Sequence, residues 1–156
     1  MTLLLVILLL PLLWLWGIRP RRRARRLPCG RYAHRGLYGG GVPENSLPAF
    51  RRAAEMGIGI ELDVQLTKDG RVAVFHDAGL RRVCGVDGRL CDRTLAELRR
   101  LTLCGSAEHI PTLDEVLETV GGRVPLLVEL KKGPHGAELC RRTLALLRDS
   151  GYAFSV

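Results

Sequence analysis

The sequence predicts an α/β fold built on a parallel sheet, and three observations carry that expectation. From Arg31 onward, short apolar runs alternate with helical patterns in the order β, α, β, β, α, α, β, α, β, the pattern of strands joined by helical crossovers. No Ser/Gly-rich linker interrupts the series, so 31–156 reads as one unit. The run Pro125 to Leu130 is almost continuously apolar, which suits a strand buried on both faces. A doubly wound sheet and a closed barrel both satisfy this pattern. No GxGxxG or GxxxxGK[ST] follows any strand, so dinucleotide and P-loop chemistry lose their main support.

Ahead of that unit, Leu3 to Ile18 is an uncharged apolar run with Trp14 and Trp16 near its end, followed by Arg19, Arg21, Arg22, Arg23, Arg25 and Arg26. It is short for a bilayer span, and Pro11 stands in its middle. A cleavable signal peptide carries its charge before the apolar stretch and a small-residue site after it, and neither is present. Residues 1–18 therefore read as a transmembrane anchor and 19–30 as a basic juxtamembrane linker. By the positive-inside rule the domain at 31–156 is placed in the cytoplasm.

Within the domain, Arg31 to His34 forms a first strand, and Gly36, Gly39, Gly40 and Gly41 mark the loop after it. Asn45 or Ser46 caps a helix with Pro48 in its first turn, ending at Gly57. Ile58 to Val64 and Arg71 to Phe75 are strands joined by the turn Lys68-Asp69-Gly70. After a long connection, Gly79 to Arg93, Thr94 with Glu97 opens a helix as a capping box. Thr112 with Glu115 repeats the box ahead of the one-faced Leu113, Val116, Leu117 and Val120. Pro125 to Leu130 is the next strand, a helix runs from about Ala137 to Asp149, and Tyr152 to Val156 reads as the start of a fifth strand.

Composition excludes several function classes. The 156 residues carry 24 basic and 16 acidic groups, a net +8, but six of the arginines lie in the juxtamembrane cluster. The remaining 18 basic against 16 acidic groups leave only +2, so no nucleic-acid footprint spreads over the domain. The five cysteines, Cys29, Cys84, Cys91, Cys104 and Cys140, form no CxxC. They read as buried or free thiols in a reducing compartment.

Ionisable residues gather where the apolar strands end: His34 and Arg35, Glu61 and Asp63, His76 and Asp77, Glu129 and Lys131. Residues i and i+2 of a strand share a face, so Glu61 with Asp63, and Glu129 with Lys131, are same-side pairs. Converging carboxylates without thiol or paired imidazole ligands favour a hard divalent cation, calcium or magnesium. Two histidines on one rim suit general acid and base roles. Arg35 and Lys131 suit a phosphate, the first as a fork and the second as a point charge. His109 and His135 fall in connections and read as surface residues.

HRG at 34–36, PENS at 43–46, ELDVQLTKDG at 61–70, VFHD at 74–77, IPTLDEVL at 110–117 and VELK at 128–131 together resemble the glycerophosphodiester phosphodiesterases. The resemblance implies a (β/α)8 TIM-type barrel that hydrolyses glycerophosphodiesters to glycerol 3-phosphate and an alcohol. It implies that Glu61, Asp63 and Glu129 bind the metal, that His34 and His76 are the acid and base, and that Arg35 and Lys131 hold the phosphate. Such a barrel takes about 250 residues. The stretch from Arg31 is accordingly expected to hold the first four to five strands, inactive as a fragment alone. A lysophospholipase D of the same superfamily, acting on lysophospholipids, is the alternative activity, and a non-catalytic half-barrel that binds a partner is the alternative to catalysis.

Overall fold

The computed structural model describes residues 30–152. The anchor and basic linker expected at 1–30 lie outside them apart from Gly30, as does all but Tyr152 of the expected fifth strand. Among the described residues, no helix is long and apolar enough to cross a membrane. The strands are β1 Tyr32–Ala33, β2 Gly59–Leu66, β3 Val72–Val74 and β4 Leu126–Leu130. The helices are α1 Leu47–Glu55, α2 Arg81–Cys84, α3 Leu95–Leu98, α4 Leu113–Val120 and α5 Gly136–Asp149, with a 3-10 turn at Leu90–Asp92.

Local chemistry sets the helix ends. Ser46, in extended conformation, caps α1 by accepting from Ala49 N, with Pro48 in the first turn, where a missing N–H costs nothing. Thr94 and Glu97 form the full reciprocal box on α3. At α4 the Glu115 carboxylate returns onto Thr112 N at 2.8 Å. Gly121, in left-handed conformation, ends α4.

β2 is the centre of the sheet, pairing with β1 and β4 in parallel and with β3 antiparallel. Gly59 N donates to Arg31 O and Phe75 N donates to Asp63 O, both from one edge of β2, while Ile60 N to Pro125 O and Lys131 N to Val64 O lie on the other. β1 and β3 therefore share an edge, β1 at its start and β3 at its end, and β4 takes the opposite edge. Ile60, Leu62 and Val64 of β2 pack with Phe50, Ala53, Val116, Leu117, Val120, Leu139 and Leu147 of α1, α4 and α5 into the main core. A buried Leu, Ile or Phe in such a core contributes about 1.5–3 kcal/mol.

Two sequence expectations are corrected here. The Arg71 to Phe75 strand is not a further parallel strand: it returns antiparallel on β2, so the parallel set is β1, β2 and β4. The physical reason is the link, since a handful of residues around Lys68-Asp69-Gly70 makes a hairpin while a parallel pair needs a crossover of a dozen or more. Secondly, β4 is not buried on both faces, for Leu127 is 42% and Leu130 39% exposed; among the described residues no strand pairs with its outer edge. The helix expected at Thr94 is present as the single turn α3, opened by the expected capping box. The long connection before it folds on itself, and Leu80, Val83, Leu90, Leu98, Leu103 and Ile110 form a second core with Ala73 and Phe75 of the hairpin.

Candidate active site

The odd-numbered side chains of β2 point away from the helix-packed face, which sets Glu61, Asp63 and Gln65 in a row. In the parallel register Asp63 pairs with Glu129 of β4, placing those two carboxylates side by side. One oxygen from each of Glu61, Asp63 and Glu129 lies within 4.8 Å of the others. Asp63 is fully buried, Glu61 nearly so, and the Glu129 side chain is half exposed.

Cations and amides from three segments offset this negative charge. Arg35 N donates to Glu61 Oε2 at 2.9 Å, and Arg35 Nε stands 3.6 Å from Asp63 Oδ2. Asn45 Nδ2 donates to Asp63 Oδ2 at 2.9 Å. Lys131 Nζ donates to Glu129 Oε1 at 2.8 Å and lies 3.4 Å from Asp63 Oδ1. Burial pulls the Lys131 ammonium down, but Glu129 and Asp63 outweigh it and hold the group above its ordinary value. The same Lys131 hydrogen bond holds Glu129 below the usual carboxylate range. Asp63 Oδ1 and Asn45 Oδ1 are buried without a hydrogen-bond partner. A buried acceptor without a donor is costly, and an oxygen-only donor set around it fits calcium or magnesium.

The loop after β1 is held in unusual backbone. Arg35 and Asn45 both have positive φ, 55° and 50°, a conformation that costs a non-glycine residue of order 1–3 kcal/mol and concentrates at functional sites. Asn45 N donates to Arg35 O at 2.9 Å, so each strained residue braces the other. His34, exposed, stands one residue before Arg35 at the end of β1.

His76 arrives from the opposite direction. β3 descends along the β2 edge until Phe75 N meets Asp63 O, which brings His76 to the stretch of edge that β1 leaves free. Gln65 Nε2 donates to the carbonyls of Phe75, His76 and Asp77 at 2.8, 3.2 and 2.8 Å and pins the chain there. The His76 ring contacts Asp77 Oδ1 through Nδ1 at 2.6 Å. Arg82, first, and His76 hold the Asp77 carboxyl down at about 2.

The structure thus brings five of the seven sequence-singled residues into direct contact, Arg35, Glu61, Asp63, Glu129 and Lys131, with His34 and His76 entering along one strand edge. Sequence reasoning missed Glu44, Asn45, Gln65 and Arg82 as partners. Gln65 was legible, being i+2 from Asp63; Arg82 reaches Asp77 five residues back, but its pairing with Glu44, 38 residues away, is one no local pattern encodes. His109 and His135 are exposed as expected. Cys84, Cys91, Cys104 and Cys140 are free, and burial, with Cys104 nearby, pushes the Cys84 thiol up to about 11.

A carboxylate cluster with arginine and lysine set among its oxygens thus stands at the strand ends of an α/β sheet. The family model for the glycerophosphoryl diester phosphodiesterase family matches residues 34–143. This chain belongs to that family, whose fold is the TIM barrel. It is 46% identical over 110 residues to a glycerophosphodiester phosphodiesterase of Caldanaerobacter subterraneus, a match that covers 65% of this chain and 44% of that one. A Bacillus altitudinis glycerophosphodiester phosphodiesterase is 44% identical over 111 residues, covering 64% and 43% respectively. An Oleispira antarctica phosphodiesterase, solved in complex with the product sn-glycerol-3-phosphate, superposes with a TM-score of 0.71 at 33% identity, covering 80% of this chain and 53% of that one. The chain spans less than half the length of these two sequence relatives and about half that of the solved enzyme.

Proposed function

We propose that these residues form the catalytic half of a divalent-cation-dependent phosphodiesterase that hydrolyses glycerophosphodiesters to glycerol 3-phosphate and an alcohol. The observation that carries the reading is the Glu61, Asp63, Glu129 cluster with Arg35 and Lys131 set among its oxygens. Glu61, Asp63 and Glu129 would hold the cation. When bound, calcium or magnesium supplies positive charge that lowers the energy of a phosphoryl group gaining electron density. Arg35, with its fork, and Lys131, as a point charge, orient the phosphate. His34 and His76 move the protons: one takes the proton of the attacking glycerol hydroxyl while the other delivers one to the departing alkoxide, leaving a cyclic phosphodiester, and water then opens that ring, with the two imidazoles exchanging roles, to give glycerol 3-phosphate. The buried floor under Asp63 favours this chemistry by lowering the local dielectric.

Two finer parts belong to the same proposal. The apolar run Leu3 to Ile18 followed by arginines supports a single-pass membrane anchor with the catalytic residues on the cytoplasmic side, which sets the site near lipid-derived substrates. The 156-residue chain alone is proposed to bind the cation with little turnover, because the exposed Leu127 and Leu130 leave the β4 side of the site wet. The test is release of glycerol 3-phosphate from glycerophosphocholine, with calcium, magnesium or chelator, by this chain and by a version extended through a closed barrel. Turnover in the extended protein that chelator does not diminish refutes the metal-dependent reading.

A further inference from the structure

We propose that Arg82 is a positioning residue for His76: it holds Asp77 so that the imidazole proton sits on Nδ1 and Nε2 is left for the substrate. The inference rests on the reading of His76 as an acid or base. Arg82 spreads its fork over two carboxylates. Nε and Nη2 donate to Asp77 Oδ2 and Oδ1 at 2.6 and 2.9 Å. Nη1 and Nη2 donate to Glu44 Oε2 and Oε1 at 3.0 and 2.7 Å. Glu44 in turn accepts from Arg35 Nη1 at 3.0 Å. The guanidinium therefore ties the loop after β3, which carries His76, to the loop after β1, which carries His34 and Arg35.

The consequence for the imidazole follows from donor counting. Both Asp77 oxygens accept from a guanidinium that never gives up its proton. Asp77 is thereby fixed as a carboxylate, an acceptor only, so the proton in the 2.6 Å contact with His76 belongs to Nδ1. A carboxylate that fixes tautomer and ring orientation is the logic of an Asp–His pair in acyl-transfer enzymes; here Arg82 fixes the carboxylate. Without Arg82, nothing described holds Asp77 Oδ2, and the partly exposed carboxylate is free to turn toward water.

A purely structural salt bridge would predict something else. Arg81, the neighbour of Arg82 on α2, forms an equally well-formed fork on Asp87 at 2.6 and 2.7 Å, with both side chains about three-quarters exposed and no imidazole attached. Arg81→Ala is therefore the internal control. The experiment is long-range proton–nitrogen correlation NMR on the full chain carrying nitrogen-15 histidine, at a pH well above the usual imidazole range. The ring is assigned by loss of its signals in His76→Gln. The unsubstituted chain and Arg81→Ala are expected to show His76 protonated at Nδ1. In Arg82→Ala the His76 nitrogens are expected to shift to the exchange-averaged pair of a free imidazole. Arg82→Gln, which keeps a neutral donor at similar reach, gives the same reading should the alanine variant fail to fold. A folded Arg82 variant that retains the Nδ1–H pattern overturns the proposal, as does the same shift in Arg81→Ala. Absence of turnover in the unsubstituted protein bears on the phosphodiesterase reading alone, because the ring spectrum is read without substrate.

Discussion

Gly36, in the tight turn beside Arg35, is the position where one added methyl group should do most damage. Its φ is +81°, in the left-handed region, and a Cβ built there would lie 2.9 Å from Ala49 Cβ, 3.0 Å from Phe50 Cδ1 and 3.1 Å from Ala49 C. Carbon atoms rest about 3.5–4.0 Å apart, so all three contacts are inside the repulsive wall. Neither neighbour has room to retreat: Ala49 and Phe50 are fully buried on α1, and Ala49 O accepts from Leu37 N at 3.0 Å. Left-handed backbone costs an alanine roughly 1–2 kcal/mol, and overpacking a tight core costs about 1–3 kcal/mol more. Gly36→Ala should therefore destabilise the chain by about 2–5 kcal/mol in urea unfolding. Gly40 separates the two causes, since its φ is +59° with nothing within 4 Å of the added Cβ. Gly40→Ala should lose only the backbone part, about 1–2 kcal/mol. If the two variants unfold at the same urea concentration, the close packing of the HRG turn on α1 is wrong.

Asp63→Asn should abolish calorimetric binding of calcium and magnesium, because it removes the buried negative ligand at the centre of the cluster. Glu129→Gln, at the half-exposed end, should weaken binding less; equal affinity in both variants and the parent would refute the site. The pH dependence follows from Asp77, whose carboxyl sits at about 2 against an ordinary 3.8, with Arg82 the largest cause. A depressed acid contributes stability that is present above its unfolded value and lost as pH falls through its folded value. Glu44 is likewise held below its ordinary 4.5 with Arg82 the largest cause, so the stability gap between the parent and Arg82→Ala should be constant above about pH 6 and narrow from about pH 5 toward pH 2; a gap unchanged over that range in acid unfolding would remove these two carboxylates as its source.

The parts of the fold legible in the sequence are those decided within one turn or one strand. Glu61 and Asp63 share a face because strand periodicity is local, and Thr94 with Glu97 closes its box within four residues. The alignment of Asp63 with Glu129 is a matter of register between segments more than sixty positions apart, and no local pattern encodes it. Apolar alternation reports the β3 strand without its sense, and the shortness of the link after β2 decides it as a hairpin. The apolar run of β4 reports what that strand is suited to pack against, and among the described residues that partner is not present beside Leu127 and Leu130.

Charge arithmetic explains why the cluster is stable as built and what it is prepared to take up. Glu61, Asp63 and Glu129 supply three negative charges, and Arg35 and Lys131 return two positive ones. Beside them one guanidinium, Arg82, spans two carboxylates, Glu44 and Asp77, so the wider group carries five acidic against three basic side chains. This net negative charge around a fully buried aspartate is tolerable because Asn45 donates to Asp63 Oδ2 and the Arg35 and Lys131 cations stand 3.6 and 3.4 Å from its two oxygens, while Oδ1 still lacks a hydrogen-bond donor. A divalent cation held by these carboxylates would offset that negative charge.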